Sequence, residues 1–101
     1  WEFPGGKVKT NESIEQALIR ETKEEINIDL SKNCIAPLTF STYKIENINI
    51  IILLFVSRKW NLDPICKYHT ELIWVKANNL NKYNMPPANK FLVTSLQDLL
   101  L

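Results

Sequence analysis

Glycine, cysteine, histidine and long apolar runs are all scarce in this chain, and each scarcity excludes something. Its 101 residues include two glycines, two cysteines, one histidine and one methionine. The cysteines, Cys34 and Cys66, are far apart and lack CxxC spacing, so a free, reduced pair in a cytoplasmic protein is expected. His69 has no cysteine or second histidine beside it, which makes it a weak metal ligand and a loop residue by expectation. The longest apolar run, Ile50 to Val56, has seven residues. A bilayer span needs roughly 20, so no membrane partner is expected. Charge of one sign is also missing: 12 basic against 11 acidic residues leave a net charge of +1. That balance offers no electrostatic capture of a polymeric nucleic acid or an anionic membrane. A small polyanion held at a local site remains open. No signal-peptide pattern is present and no initiator methionine precedes Trp1, so the expectation is a fragment or a chain from which residues have been removed.

What is there reads as one small domain over residues 1–101, with no internal repeat and no dividing linker. Gly5 and Gly6 form a turn after a short strand-like piece, Trp1 to Phe3. Ser13, followed three residues later by Gln16, is a capping-box signature, and it predicts a helix over about Ile14–Ile26 that exits at Asn27. Ile35 to Ile45 is strand-like, Glu46-Asn47 is a turn, and Ile48 to Trp60 is apolar enough for a central strand. Leu72 to Lys76 reads as a further short strand with Trp74 as a core aromatic, and Asn78 to Tyr83 as loop or a single turn. Pro86-Pro87 then introduces a closing helix over about Ala88–Leu100. This order supports a mixed sheet covered by helices, an α/β or α+β sandwich.

Helical spacing places Ile14, Leu18, Glu21 and Glu25 near one face, with Ala17, Glu24 and Ile28 alongside. The stripe starts apolar and turns acidic. Like charges at such spacing destabilise a bare helix by a few tenths of a kcal/mol per pair, roughly. A divalent cation reverses that sign, and magnesium prefers such oxygen ligands. The spacing alone leaves two readings: a solvated acidic face, with Arg20 and Lys23 intermixed, or a metal site.

The stretch Trp1-Glu2-Phe3-Pro4-Gly5-Gly6-Lys7-Val8 and its continuation resemble the Nudix hydrolases. Their box is a glycine, five residues, a glutamate, seven residues, then Arg-Glu, an apolar residue, any residue, Glu-Glu, any residue, glycine and an apolar residue. Here those places hold Gly6, Glu12, Arg20, Glu21, Thr22, Glu24, Glu25, Asn27 and Ile28, with Thr22 and Asn27 as the two departures. The resemblance implies a Nudix-type α/β/α sandwich and a Mg2+ site, with Mn2+ as the alternative ion. It implies Glu21, Glu24, Glu25 and the Gly5 carbonyl as metal ligands, Glu21 as first choice for general base, and Arg20 as orienter of the carboxylates with Glu12 as partner. Lys7 lies where it meets phosphate oxygens or solvent. The implied reaction is attack of water on a phosphorus of a nucleoside triphosphate, releasing monophosphate and pyrophosphate.

The opening, together with Trp74-Val75 and Met85-Pro86-Pro87-Ala88-Asn89, resembles the MutT branch of that family, which acts on oxidised guanine nucleotides such as 8-oxo-dGTP and so sanitises the nucleotide pool. In that branch the asparagine at the place of Asn89 reads the purine edge and the phenylalanine at the place of Phe3 lines the base pocket. Asparagine offers an acceptor and two donors for such a task, although a helix cap is its ordinary use at this place. Trp1 and Phe3 are equally core aromatics, and Leu80 and Met85 are pocket walls or packing residues. The branch has a further acid where this chain has Tyr68, so either Glu71 replaces it or the box carboxylates act alone. An N-terminal strand precedes this opening in the family fold, which implies an incomplete domain or one completed by a further segment or chain. Two other readings remain: a Nudix hydrolase of another nucleotide or a dinucleoside polyphosphate, and a non-catalytic nucleotide-binding remnant.

Overall fold

The structure, a computed structural model, describes residues 1–67 and 71–100, and Tyr68 and His69 lie outside the described residues. The chain divides into two compact units. One comprises Phe3–Ala36 and Ser57–Ile73, the other Trp1–Glu2, Pro37–Val56 and Trp74–Leu101.

The first unit is built on helix α1, Ile14–Ile26, the range expected from the sequence. Ser13 Oγ accepts the Gln16 N–H at 3.0 Å, and Gln16 Oε1 accepts the Ser13 N–H at 2.8 Å, so the capping box is closed. Ala17 and Ile26 are buried at 3% and 6% exposure and anchor the helix. Thr22, buried where the family pattern has an aliphatic residue, donates its hydroxyl to the Leu18 carbonyl at 2.8 Å. Its polarity is satisfied within the helix, leaving the methyl to pack. At the exit Asn27 takes a left-handed backbone, φ 62, and its N–H reaches the Thr22 and Lys23 carbonyls. A 3₁₀ turn, Lys32–Cys34, follows, and Asp29 pairs with Asn61 in an antiparallel bridge. Neither Cys34 nor Cys66 takes part in a disulfide among the described residues.

The second unit carries most of a hairpin, β1 (Ile35–Ile45) with β2 (Ile48–Ser57), joined at Glu46-Asn47. A two-residue connection makes the pair antiparallel. A 3₁₀ turn, Ala77–Lys82, and helix α2, Asn89–Leu99, complete the unit. Ser41 Oγ donates to the Ala88 carbonyl at 2.9 Å, which ties the hairpin to the start of α2. Gln97 ties α2 to the 3₁₀ turn through the Ala77 carbonyl and Asn81 Oδ1, at 3.0 and 3.1 Å. Leu92 and Val93 form the buried face of α2.

Several sequence expectations are corrected here. Trp1 to Phe3 and Leu72 to Lys76 form no strand among the described residues. Trp74 is 74% exposed rather than core. In that extended segment Ile73 and Val75 are half-buried while Trp74 and Lys76 face out, as a period of two requires. Trp1 is also more exposed than a core aromatic, at 46%, and stacks edge-on against Tyr83 at 5.4 Å. β2 ends at Ser57 rather than Trp60 because Ser57 Oγ turns to the Lys59 carbonyl at 2.7 Å and Asn61 pairs with Asp29 instead. Nor is β2 central: among the described residues its only sheet neighbour is β1. Asn78 to Tyr83, read as loop or a single turn, is largely the 3₁₀ turn. No helix among the described residues is long and apolar enough to cross a membrane.

A candidate active site on helix α1

The site is organised around one guanidinium. Arg20 Nε donates to Glu12 Oε2 at 2.7 Å, and Nη2 donates to Glu12 Oε1 at 2.9 Å, a bidentate pair. Nη2 also donates to the Lys7 carbonyl at 3.0 Å. Nη1 reaches Glu21 Oε1 at 2.7 Å and Glu24 Oε2 at 3.3 Å. All five guanidinium donors are therefore engaged. Arg20 joins the loop before α1 to the two carboxylates that follow it on the helix, and the structure pairs it with Glu12.

Glu12 is itself held by the loop. Its Oε1 accepts the Lys9 N–H at 3.0 Å, while the Glu12 N–H reaches the Lys9 carbonyl at 3.2 Å. The Arg20 hydrogen bond, and after it the Lys9 N–H, lowers the Glu12 pKa to about 2. The same pairing, with Glu12 first and Glu21 second, raises that of Arg20. Both shifts favour the charged pair, the Glu12 carboxylate with the Arg20 guanidinium.

Gly6 explains why the loop passes so close. A Cβ built there would fall on the Glu21 carboxylate, so a larger residue would push that side chain out of its present place. Gly5, by contrast, has open space where a Cβ would point. The glycine against which the Glu21 carboxylate rests is therefore Gly6, a contact that residue spacing alone does not reveal.

The other expected residues fall as follows. Glu25 is half-buried, and its carbonyl accepts the Lys67 N–H. Lys7 is exposed and tied to the cluster by its carbonyl, not its ammonium. Phe3 is half-buried and Glu71 exposed, both in the unit that contains α1. Asn89 belongs to the other unit, at the first position of α2, and is buried at 7% exposure. Its side chain caps no helix and has no hydrogen-bond partner among the described residues. Leu80 and Met85 line a cavity of about 590 Å³ in that second unit, with Tyr83, Lys90 and Val93. Sequence reasoning passed over Lys67, which lies in a stretch without periodicity and whose contacts are made to a helix some 40 residues earlier.

Hard carboxylate oxygens are what a magnesium or manganese ion selects. Glu21, Glu24 and Glu25 supply that chemistry, and the space Gly6 leaves free is taken by the Glu21 carboxylate. The donor set fits such an ion in kind. As they stand, Glu21 and Glu24 turn to Arg20, and no three acidic, histidine or cysteine side chains among the described residues converge on one point.

Comparison with known proteins bears on what this cluster belongs to. Residues 1–96 match the NUDIX domain family. An 8-oxo-dGTP diphosphatase of Buchnera aphidicola is 33% identical over 97 residues, covering 96% of this chain and 77% of the relative. A nucleoside triphosphatase NudI of Klebsiella pneumoniae is 35% identical over 100 residues, covering 89% of this chain and 71% of the relative. The solution structure of the Escherichia coli ORF135 protein superposes with a TM-score of 0.90 at 26% identity, over 98% of this chain and 69% of that one. That likeness places the chain in the α/β/α sandwich class expected from its sequence.

Proposed function

The chain belongs to the Nudix hydrolase family, and from that premise we propose that it is a Mg2+-dependent nucleoside triphosphate pyrophosphohydrolase, acting in the cytoplasm on 8-oxo-dGTP to give 8-oxo-dGMP and pyrophosphate. The observation that carries this reading is the Arg20 node, which couples Glu12 of the loop to Glu21 and Glu24 of α1. A solvated acidic face has no need of an arginine with every donor engaged, nor of a loop glycine against which one of its carboxylates rests.

Glu21, Glu24 and Glu25, with the Gly5 carbonyl, are the groups that would hold the ion. When bound, it neutralises charge on the phosphate oxygens and lowers the pKa of water. Glu21 accepts the proton of the attacking water as its oxygen bonds to phosphorus, and the pyrophosphate leaves with the electron pair of the broken P–O bond. Arg20 keeps the Glu21 carboxylate aimed, and Glu12 keeps Arg20 in place. Lys7 is assigned to the phosphate chain, and Glu71 to the additional acid.

The nucleobase assignment rests on the 8-oxo-dGTP diphosphatase relatives and on Asn89. Asn89 is buried as a residue, yet no side-chain nitrogen or oxygen among the described residues is both buried and unpartnered, so its amide is open enough to meet a ligand. Phe3 is assigned to the base pocket by the resemblance. Hydrolysis of another nucleoside triphosphate is the second reading, favoured by the likeness to NudI.

The test is pyrophosphate release from 8-oxo-dGTP and dGTP in Mg2+. A preference for the oxidised nucleotide should collapse in Asn89→Ala by about 10-fold or more, since an unpaired polar edge costs about 1–3 kcal/mol. A preference that survives this change would remove Asn89 from base reading. Equal rates on both nucleotides in the wild type would favour the second reading.

A further inference from the structure

The C-terminal end of α1 is fastened by a segment to which no role has yet been given. A helix leaves its last four carbonyls without intrahelical donors, and an unsupported last turn frays. In α1 those carbonyls belong to Glu24, Glu25, Ile26 and the C-cap Asn27, and two of these residues are candidate metal ligands. Ile65 N–H donates to the Ile26 carbonyl at 2.8 Å, and Lys67 N–H donates to the Glu25 carbonyl at 3.2 Å. Lys67 Nζ donates to the Lys23 carbonyl at 3.3 Å, beside the Asn27 N–H on the same oxygen. Asn27 Nδ2 reaches back to the Asp63 carbonyl at 3.4 Å. The segment from Asp63 to Lys67 thus clasps the turn that presents Glu24 and Glu25, and Lys67 grips it twice.

We propose that Lys67 is a positioning residue for the metal-binding carboxylates, acting through the Lys23 and Glu25 carbonyls rather than by touching substrate. The proposal rests on the reading of α1 as a metal-assisted hydrolase site. Its ammonium adds to the clasp by lying at the negative end of the helix dipole. Two effects of this side chain on a bound cation have opposite signs. As a positive charge near the site it repels the cation, so removing it would tighten binding. As a clasp it holds the last turn in shape, so removing it would weaken binding. The side chain's own bond, from Nζ to the Lys23 carbonyl, makes the second effect the larger, while the backbone bond to the Glu25 carbonyl stays in place when the side chain is changed.

The opposing signs give the test. Mn2+ binding to the folded protein is followed by the loss of the free-ion electron paramagnetic resonance signal, alongside kcat and KM for triphosphate hydrolysis. Lys67→Met should weaken Mn2+ binding about 10-fold, the lower end for groups that orient metal ligands, and reduce kcat with the nucleotide KM little changed. Lys67→Arg, which keeps the charge and a long donor, should restore most of both. Unchanged or tighter Mn2+ binding in Lys67→Met would overturn the assignment, as would a Lys67→Arg variant as impaired as Lys67→Met. Hydrolysis by the wild type with an indistinguishable Lys67→Met variant sinks the clasp and leaves the hydrolase. The Mn2+ effects without hydrolysis of any triphosphate sink the hydrolase and leave the clasp.

Discussion

Arg20 and Glu12 show what one residue pair contributes to this site and how it responds to acid. The Arg20 hydrogen bond lowers the Glu12 pKa from 4.5 to about 2, so the folded chain favours the ionised carboxylate. A depressed carboxylate pKa gives stabilisation that is complete above the unfolded value and is lost as pH falls through the folded one. Glu12→Gln should therefore unfold at a lower temperature than wild type at neutral pH. The gap should close as pH is lowered from about 4.5 towards 2, measured by circular dichroism melts. A gap independent of pH would mean that charge is not what Glu12 contributes. The pairing of Glu12 with Arg20 was legible in the residue spacing once the family pattern was recognised. The fit of Gly6 against Glu21 and the carbonyl contact from Lys7 were not, because both depend on the path of the loop and not on a side-chain period.

α1 was the most legible element because its limits are written locally. Ser13 and Gln16 close its start, an apolar stripe runs through Ala17, and Asn27 takes the left-handed exit. Asn27→Ala should lower stability by about 1–2 kcal/mol, since alanine has no local compensation for a positive φ. Asn27→Gly should be close to neutral. Urea unfolding of the two variants checks this, and an alanine variant as stable as wild type would show that the exit turn relaxes freely. The strands were less legible. Alternation in Leu72 to Lys76 indicated an extended chain correctly, but pairing depends on partners distant in sequence, and the sheet of the described residues holds only β1 and β2. The apolar run of β2 gave no sign of its end, because Ser57, Lys59 and the Asp29–Asn61 bridge terminate it from outside the pattern.

On the scale of the whole molecule, each of the two units has a small core: Ala17 and Ile26 in one, Leu92 and Val93 in the other. The sequence carried the fold class through the 23-residue box and its surroundings, and the likeness to ORF135 agrees. It could not identify which apolar residues would be covered, since Trp74, Phe40 and Ile51 all have core character yet are exposed. The central claim, that the α1 carboxylates cleave a nucleoside triphosphate to the monophosphate, is tested most directly by 31P nuclear magnetic resonance of the products. Wild type and Glu21→Gln are compared at matched fold in Mg2+. Nucleoside monophosphate and pyrophosphate should appear with wild type, and their rate should fall about 100-fold or more in the variant, the scale set by loss of a positioned acid–base group. Nucleoside diphosphate with orthophosphate, or a Glu21→Gln rate equal to wild type, would contradict it.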